Sequence, residues 1–259
     1  MYPYPILTLG QLEVHLYGVL IAIGLLACFI VLFTYSKACG IDEHFVDFLF
    51  YNGIAAIVLG FGGAMLFQAF YNFLDNPAAG FRLNSGMTFI GGLIAGVAVF
   101  LIGYFIFRPR LKGRLIDALS MVPCCILIAH AFGRIGCFFA GCCYGVETDS
   151  FLGVQFPFLD HPVHPTQLYE AAFLFVMFGV CTYLLLKRNF QHNLSLYLVT
   201  YGIFRFLIEY VRGDERGAFV TGLSPSQFWS IGMVAAGVAV YFGMRYLLKL
   251  REQEKANKG

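Results

Sequence analysis

Charge is the scarcest thing in this sequence. Only 12% of its 259 residues are Asp, Glu, Lys or Arg, about half the roughly 25% of an ordinary soluble domain. The deficit runs the length of the chain and excludes a soluble globular protein. The net charge of +2 is too small to argue for a nucleic-acid partner. Residues 1–13 hold no basic residue, so no cleavable signal peptide is expected and the first apolar segment should stay as an anchor. No paired-aspartate, Walker, HExxH or GxSxG motif occurs, and none of the signatures that announce hydrolases or nucleotide binding is present. The eight cysteines contain no CxxC pair, so their spacing points to no zinc site, and no metal or cofactor is expected. No internal repeat is visible.

What fills the space is apolar. The chain is 59% hydrophobic and 17% aromatic, with a mean hydropathy of +0.74. A span of about 20 apolar residues crosses a bilayer. Seven candidates appear, at about 14–35, 46–71, 87–107, 115–132, 166–186, 194–211 and 226–248. The expectation is an all-α polytopic membrane protein of seven transmembrane helices. It is read as one domain, 1–259, with a long outward-facing loop at about 133–165 and a short, charged, frayed tail at about 250–259. Cys28, Cys124, Cys125 and Cys181 lie in apolar runs, where cysteine is a small buried hydrophobe.

Orientation follows from Lys and Arg. Lys37, Arg108, Arg110, Lys112, Arg114, Lys187, Arg188, Arg245, Lys249, Arg251, Lys255 and Lys258 fall on one side of seven alternating spans. Arg82, Arg134, Arg212 and Arg216 fall on the other. The C-terminus is therefore expected in the cytoplasm, and the N-terminus and the 133–165 loop outside. That loop carries Phe138, Phe139, Tyr144, Phe151, Phe156 and Phe158, enough aromatic surface to fold it onto the membrane boundary. The alternation at 151–157 suggests a short strand.

Three stretches carry chemistry. The first, Gly133-Arg-Ile-Gly136-Cys137-Phe-Phe-Ala-Gly141-Cys142-Cys143-Tyr-Gly145, sets one cation directly after an apolar run. It reads either as a glycine-rich turn that receives a phosphate or as a helix end whose arginine snorkels. The second is His164-Pro165-Thr-Gln167-Leu-Tyr-Glu170. Pro165 suits a first helical turn, which puts His164 at the cap, and Gln167 and Glu170 share a face. His164 is a candidate base, with His161 a second; the alternative is a cap residue followed by dipole compensation. The third holds Tyr201, Arg205, Glu209 and Arg212, spaced as one polar stripe on an apolar helix. Such a stripe is either a site or a structural ion pair. Arginines grip phosphate through bidentate, charge-assisted bonds, so the ligand expected is an anionic membrane lipid.

These strings, with Leu16-Tyr17-Gly18, Met87-Thr-Phe-Ile-Gly91-Gly92-Leu and Ser226-Gln227, resemble the signatures of bacterial prolipoprotein diacylglyceryl transferases, in order and over nearly the whole chain. The resemblance implies a seven-span enzyme of the bacterial inner membrane, acting without a cofactor. It would move the diacylglyceryl group of phosphatidylglycerol to the lipobox cysteine of a preprolipoprotein signal peptide. It implies catalytic roles for His164, Arg134, Arg205 and Tyr201. It implies substrate-binding roles for Arg134, Tyr17, Gly133, Gly136, Gln167, Glu170, Glu209 and Arg212. The pattern also departs from the family. Ile90 stands where the family has histidine, and Cys137, Ala140 and Cys142 stand at its Asn, Asn and Glu positions. Those departures leave open a related transferase with a different acceptor, a non-catalytic lipid-binding protein or transporter on the same scaffold, or a chain in which Cys137 or Cys142 is a nucleophile or redox group. Cys142 and Cys143, being adjacent, are not expected to bridge each other.

Overall fold

The computed structural model describes residues 5–9, 12–77, 80–83, 86, 88–213 and 222–257. Met87, Arg216, Lys258 and Gly259, which entered the sequence reading, lie outside the described residues, as do residues 1–4.

A short hairpin precedes the helices: β1 (Leu7–Leu9) pairs antiparallel with β2 (Leu12–Val14), Leu7 facing Val14. Among the described residues eight α-helices follow: α1 (Leu16–Ala38), α2 (Glu43–Asp75), α3 (Phe89–Phe107), α4 (Leu115–Ala118), α5 (Val122–Ala140), α6 (Thr166–Arg188), α7 (Asn193–Ile208) and α8 (Pro225–Ala256). Among the described residues seven helices are long and apolar enough to cross a membrane, and the protein is a multi-pass, all-α membrane protein. Large apolar side chains stand exposed along every span, Phe105, Val176 and Phe242 among them. Water would penalise such surface and lipid does not.

The chain forms two compact units. Residues 40–114 make one, in which α2 packs against α3. Asp42 caps α2, its side chain accepting from the Phe45 N–H at 3.2 Å. Close approach depends on small residues, as is usual where lipid removes the hydrophobic drive between helices. A Cβ on Gly63 would sit 2.2 Å from that of Ala95, and one on Gly96 would sit 3.2 Å from the Ala56 carbonyl. Gly91 and Gly92, singled out by the resemblance, belong to this seam, against Phe67 and Gly60.

Residues 1–39 and 115–259 make the other unit, which contains every candidate site residue. Here α5 packs against α1, α6 and α7, and α7 against α8. The expected fourth span differs most. Residues 115–132 do not form one helix: α4 stops at Ala118, and α5 begins at Val122 with Pro123 in its first turn. Proline inside a helix lacks an N–H and clashes with the carbonyl four residues back, whereas in a first turn it costs little. α5 then runs through Arg134 to Ala140, so the loop begins at Gly141 rather than Gly133. The tail also differs. α8 continues to Ala256, and Arg251 pairs with Asp117.

Candidate active site

α5 carries His130, Arg134 and Cys137 at spacings that share a face. Gly141 ends the helix in the left-handed region, φ 69°, and its N–H and that of Cys142 turn back to the carbonyls of Phe138 and Cys137, both at 3.1 Å. The glycine-rich stretch is thus a helix end, and Arg134 lies inside the helix.

Its charge is met across the helix interface. The Arg134 Nε lies 3.0 Å from the Glu170 Oε1 on α6, and the Tyr201 hydroxyl on α7 donates to the same oxygen at 2.6 Å. Glu170 is only 1% exposed. Burying a carboxylate is tolerable only when its lone pairs are engaged, and α5 and α7 supply the partners. His130 completes the group. Its Nε2 accepts from the Arg134 Nε at 3.3 Å and lies 3.6 Å from the Glu170 carboxylate. The Tyr201 ring meets it edge-on, with centroids 5.3 Å apart, and Tyr197 stacks on Tyr201. The His130 side chain is still 27% exposed, so this ring can be reached.

One turn beyond Tyr201, Arg205 donates to the Glu209 carboxylate at 2.7 Å and to the Ser226 hydroxyl at 2.8 Å. Ser224 donates to the other Glu209 oxygen, also at 2.8 Å, and the Arg212 Nε lies 3.9 Å from Glu209.

The 141–165 loop closes over this end of the unit. Gly145 pairs with Arg212, and Val163 pairs with both Glu147 and Val154; the strand suggested at 151–157 amounts to that single bridge at Val154. A Cβ on Gly145 would fall 2.4 Å from the Val211 carbonyl, so only glycine permits the crossing. Phe156, fully buried, gathers Phe138, Tyr144 and Phe158 around it. Thr166 and Gln167, each 1% exposed, donate to the carbonyls of Cys143 and Cys142. The three thiols of Cys137, Cys142 and Cys143 come within 4.8 Å of one another. Hydrogen bonds from the other two thiols, with Arg212 beside them, hold the Cys143 thiol far below the usual thiol range. Bonds to Cys137 and Cys143 push Cys142 far above it.

A family model described as prolipoprotein diacylglyceryl transferase matches residues 5–243. The chain belongs to that family. Among its relatives are enzymes named phosphatidylglycerol–prolipoprotein diacylglyceryl transferase. That of Clostridium tetani (strain Massachusetts / E88) is 35% identical over 239 residues, covering 89% of this chain and 93% of the relative. A second, numbered 2, from Clostridium perfringens (strain 13 / Type A), is 30% identical over 249 residues, covering 91% and 94%. One from Stenotrophomonas maltophilia (strain R551-3) is 30% identical over 266 residues, covering 90% and 89%.

In this diacylglyceryl transferase family member, the expected residues fall into groups. Arg134, Glu170 and Tyr201 meet directly, and Arg205, Glu209 and Arg212 form the adjoining cluster. Tyr17 lies against Gly136, where an added Cβ would come 3.0 Å from the Tyr17 ring. Gly133 has nothing within 4 Å of such an atom. Gln167 anchors the loop. His164 stands apart from the carboxylates: its Nδ1 pairs with the Tyr169 hydroxyl at 3.1 Å. Pro165 takes the cap position itself, with His164 one residue before it. His161 faces Glu147 at 4.0 Å. The sequence reading missed His130, Tyr197 and Ser224. The signal for His130 was its four-residue spacing from Arg134, hidden because the span read from the sequence ends at 132, before the arginine.

Proposed function

We propose that this chain transfers the diacylglyceryl group of phosphatidylglycerol to the lipobox cysteine of a preprolipoprotein. It would do so in the bacterial inner membrane, with its N-terminus and the 141–165 loop outward and its C-terminus in the cytoplasm. The observation that carries the reading is the pair of arginines, each held by a buried or half-buried carboxylate, in a chain that matches the family over residues 5–243.

The chemistry follows from the charges. The acceptor thiolate attacks the diacylglyceryl carbon bonded to the phosphate oxygen. A carbon–sulfur bond forms, the carbon–oxygen bond breaks, and its electron pair leaves on glycerol phosphate. Charge therefore grows on phosphate in the transition state, where preorganised donors act most. Arg134 makes its bonds to Glu170 and His130 through Nε, and the outer edge of its guanidinium faces the phosphate in this reading. Arg205 serves the same phosphate, with Glu209, Ser226 and Arg212 fixing its direction. Tyr201 and Glu170 orient Arg134, and Tyr17, Gly133 and Gly136 border the lipid.

The thiol must also lose a proton, because the thiolate is the nucleophile. His164 is the residue the resemblance puts forward, fixed by Pro165 and Tyr169. His130 is the histidine that stands against Arg134 and Glu170, with Nε2 as acceptor, and we assign it the proton on that geometry. A phosphatidylglycerol labelled in its diacylglyceryl part, incubated with a lipobox peptide, tests the function. Label on the peptide cysteine is the expected result. Binding of the lipid without transfer would instead make the chain a lipid-binding protein on this scaffold.

A further inference from the structure

We infer that Cys137, Cys142 and Cys143 form a binding site for one soft, thiophilic d10 metal ion, Cu(I) or Zn(II). The three sulfurs already lie within 4.8 Å of one another. Thiolates bound at about 2.3 Å to one ion stand about 3.8 Å apart in tetrahedral and about 4.0 Å apart in trigonal geometry. Small side-chain rotations close that difference.

The backbone holds the three together without an ion. Cys137 comes from the last turn of α5, and the chain reverses at Gly141 so that Cys142 folds back on it. Cys143 then sits at φ 63°, a left-handed conformation that is unfavourable for a non-glycine residue and that concentrates at ligand clamps and other functional sites. Thr166 donates to the Cys143 carbonyl at 2.7 Å, and Gln167 donates to that of Cys142. Both donors are buried helix residues. The reversal is therefore part of the packed structure.

The donor set chooses the ion. Among the described residues no carboxylate or imidazole joins the three thiols, which disfavours magnesium and calcium and favours Cu(I) or Zn(II). Binding releases the thiol protons to solvent as three sulfur–metal bonds form. Three thiolates leave a net negative charge on either ion, and Arg212, whose backbone pairs with Gly145 two residues after Cys143, brings a cation to the segment that carries them. Cys142 is exposed, so an ion has a way in.

The test needs no transfer assay, so its failure is separate from that of the proposed function. Full-length protein in detergent is reduced, stripped with a chelator and titrated anaerobically with Cd(II), whose thiolate charge-transfer band reports binding. The expected result is saturation at one ion per chain. Cys137→Ser, Cys142→Ser and Cys143→Ser should each weaken binding at least about tenfold, and Cys39→Ser should leave it unchanged. Cys142 is exposed, so its variant still folds if either of the others does not. Zn(II) and Cu(I) then compete, and the one that displaces Cd(II) at the lower concentration names the ion. No saturable band, a Cys142→Ser variant that saturates at the same Cd(II) concentration as the unaltered protein, or displacement by neither ion would overturn the inference. So would a disulfide between two of these cysteines, found by alkylating intact membranes before mass spectrometry.

Discussion

The Arg134 guanidinium on α5 and the Glu170 carboxylate on α6 meet at 3.0 Å inside the helix packing, with Tyr201 of α7 closing on the same oxygen. The pair lets a cation sit within a membrane-spanning helix and aims it. Replacing Glu170 with glutamine keeps the shape and removes the charge, leaving Arg134 uncompensated. Breaking such a buried pair costs about 3 kcal/mol or more. Glu170→Gln is therefore expected to lower the melting temperature in detergent and to reduce transfer together. An unchanged melting temperature would show that Arg134 is held by something else.

Lysine at either arginine preserves charge and loses the two-pronged grip. Charge-assisted phosphate contacts contribute about 1.5–3 kcal/mol. Arg134→Lys and Arg205→Lys should each weaken phosphatidylglycerol binding about ten- to a hundredfold by that measure. The double variant should fall short of the sum if both hold one phosphate, since residues sharing a partner are not additive. Strict additivity, measured by lipid titration, would place them on separate ligands.

The two histidines divide by geometry. His130→Gln should lower turnover about a hundredfold or more, the range of a lost general base, while phosphatidylglycerol still binds. His164→Gln, which loses only the Tyr169 contact, should keep most of its turnover. The reverse outcome, with both variants measured for binding and rate on the same preparation, would return the proton to His164.

Gly136 and Gly133 differ by a single neighbour. A methyl at Gly136 meets the Tyr17 ring at 3.0 Å, and one at Gly133 meets open space. Gly136→Ala should displace Tyr17, destabilise by about 1 kcal/mol or more and reduce transfer. Gly133→Ala should be neutral or add up to about 1 kcal/mol of helix stability. Equal effects on melting temperature would mean that Tyr17 does not need that contact.

Orientation is checked with reporter fusions. A fusion at Lys112 should behave as cytoplasmic and one in the 146–152 stretch as external. Reversal of either would overturn the orientation drawn from the basic residues.

The sequence by itself determined the seven apolar spans and the family, and it singled out Arg134, Glu170 and Tyr201, which the folded chain brings together. It could do so because span length and hydropathy are additive along the chain, and because an arginine or glutamate in an apolar run is conspicuous against its neighbours. The start of α6 was legible to within one residue, because Pro165 limits where that helix can begin. Helix ends were misread where a tertiary partner alters the balance: α5 continues through Arg134 because Glu170, on another helix, neutralises it. Only the tertiary structure decided which charges pair, since Arg134 meets Glu170 and Tyr201 through the packing of α5, α6 and α7. It drew His130 out of an apolar run and set His164 beside Tyr169. It also brought together three cysteines whose spacing suggested no site. A left-handed Cys143, pinned by Thr166 and Gln167, is a property of the folded chain, and nothing in the order CxxxxCC specifies it.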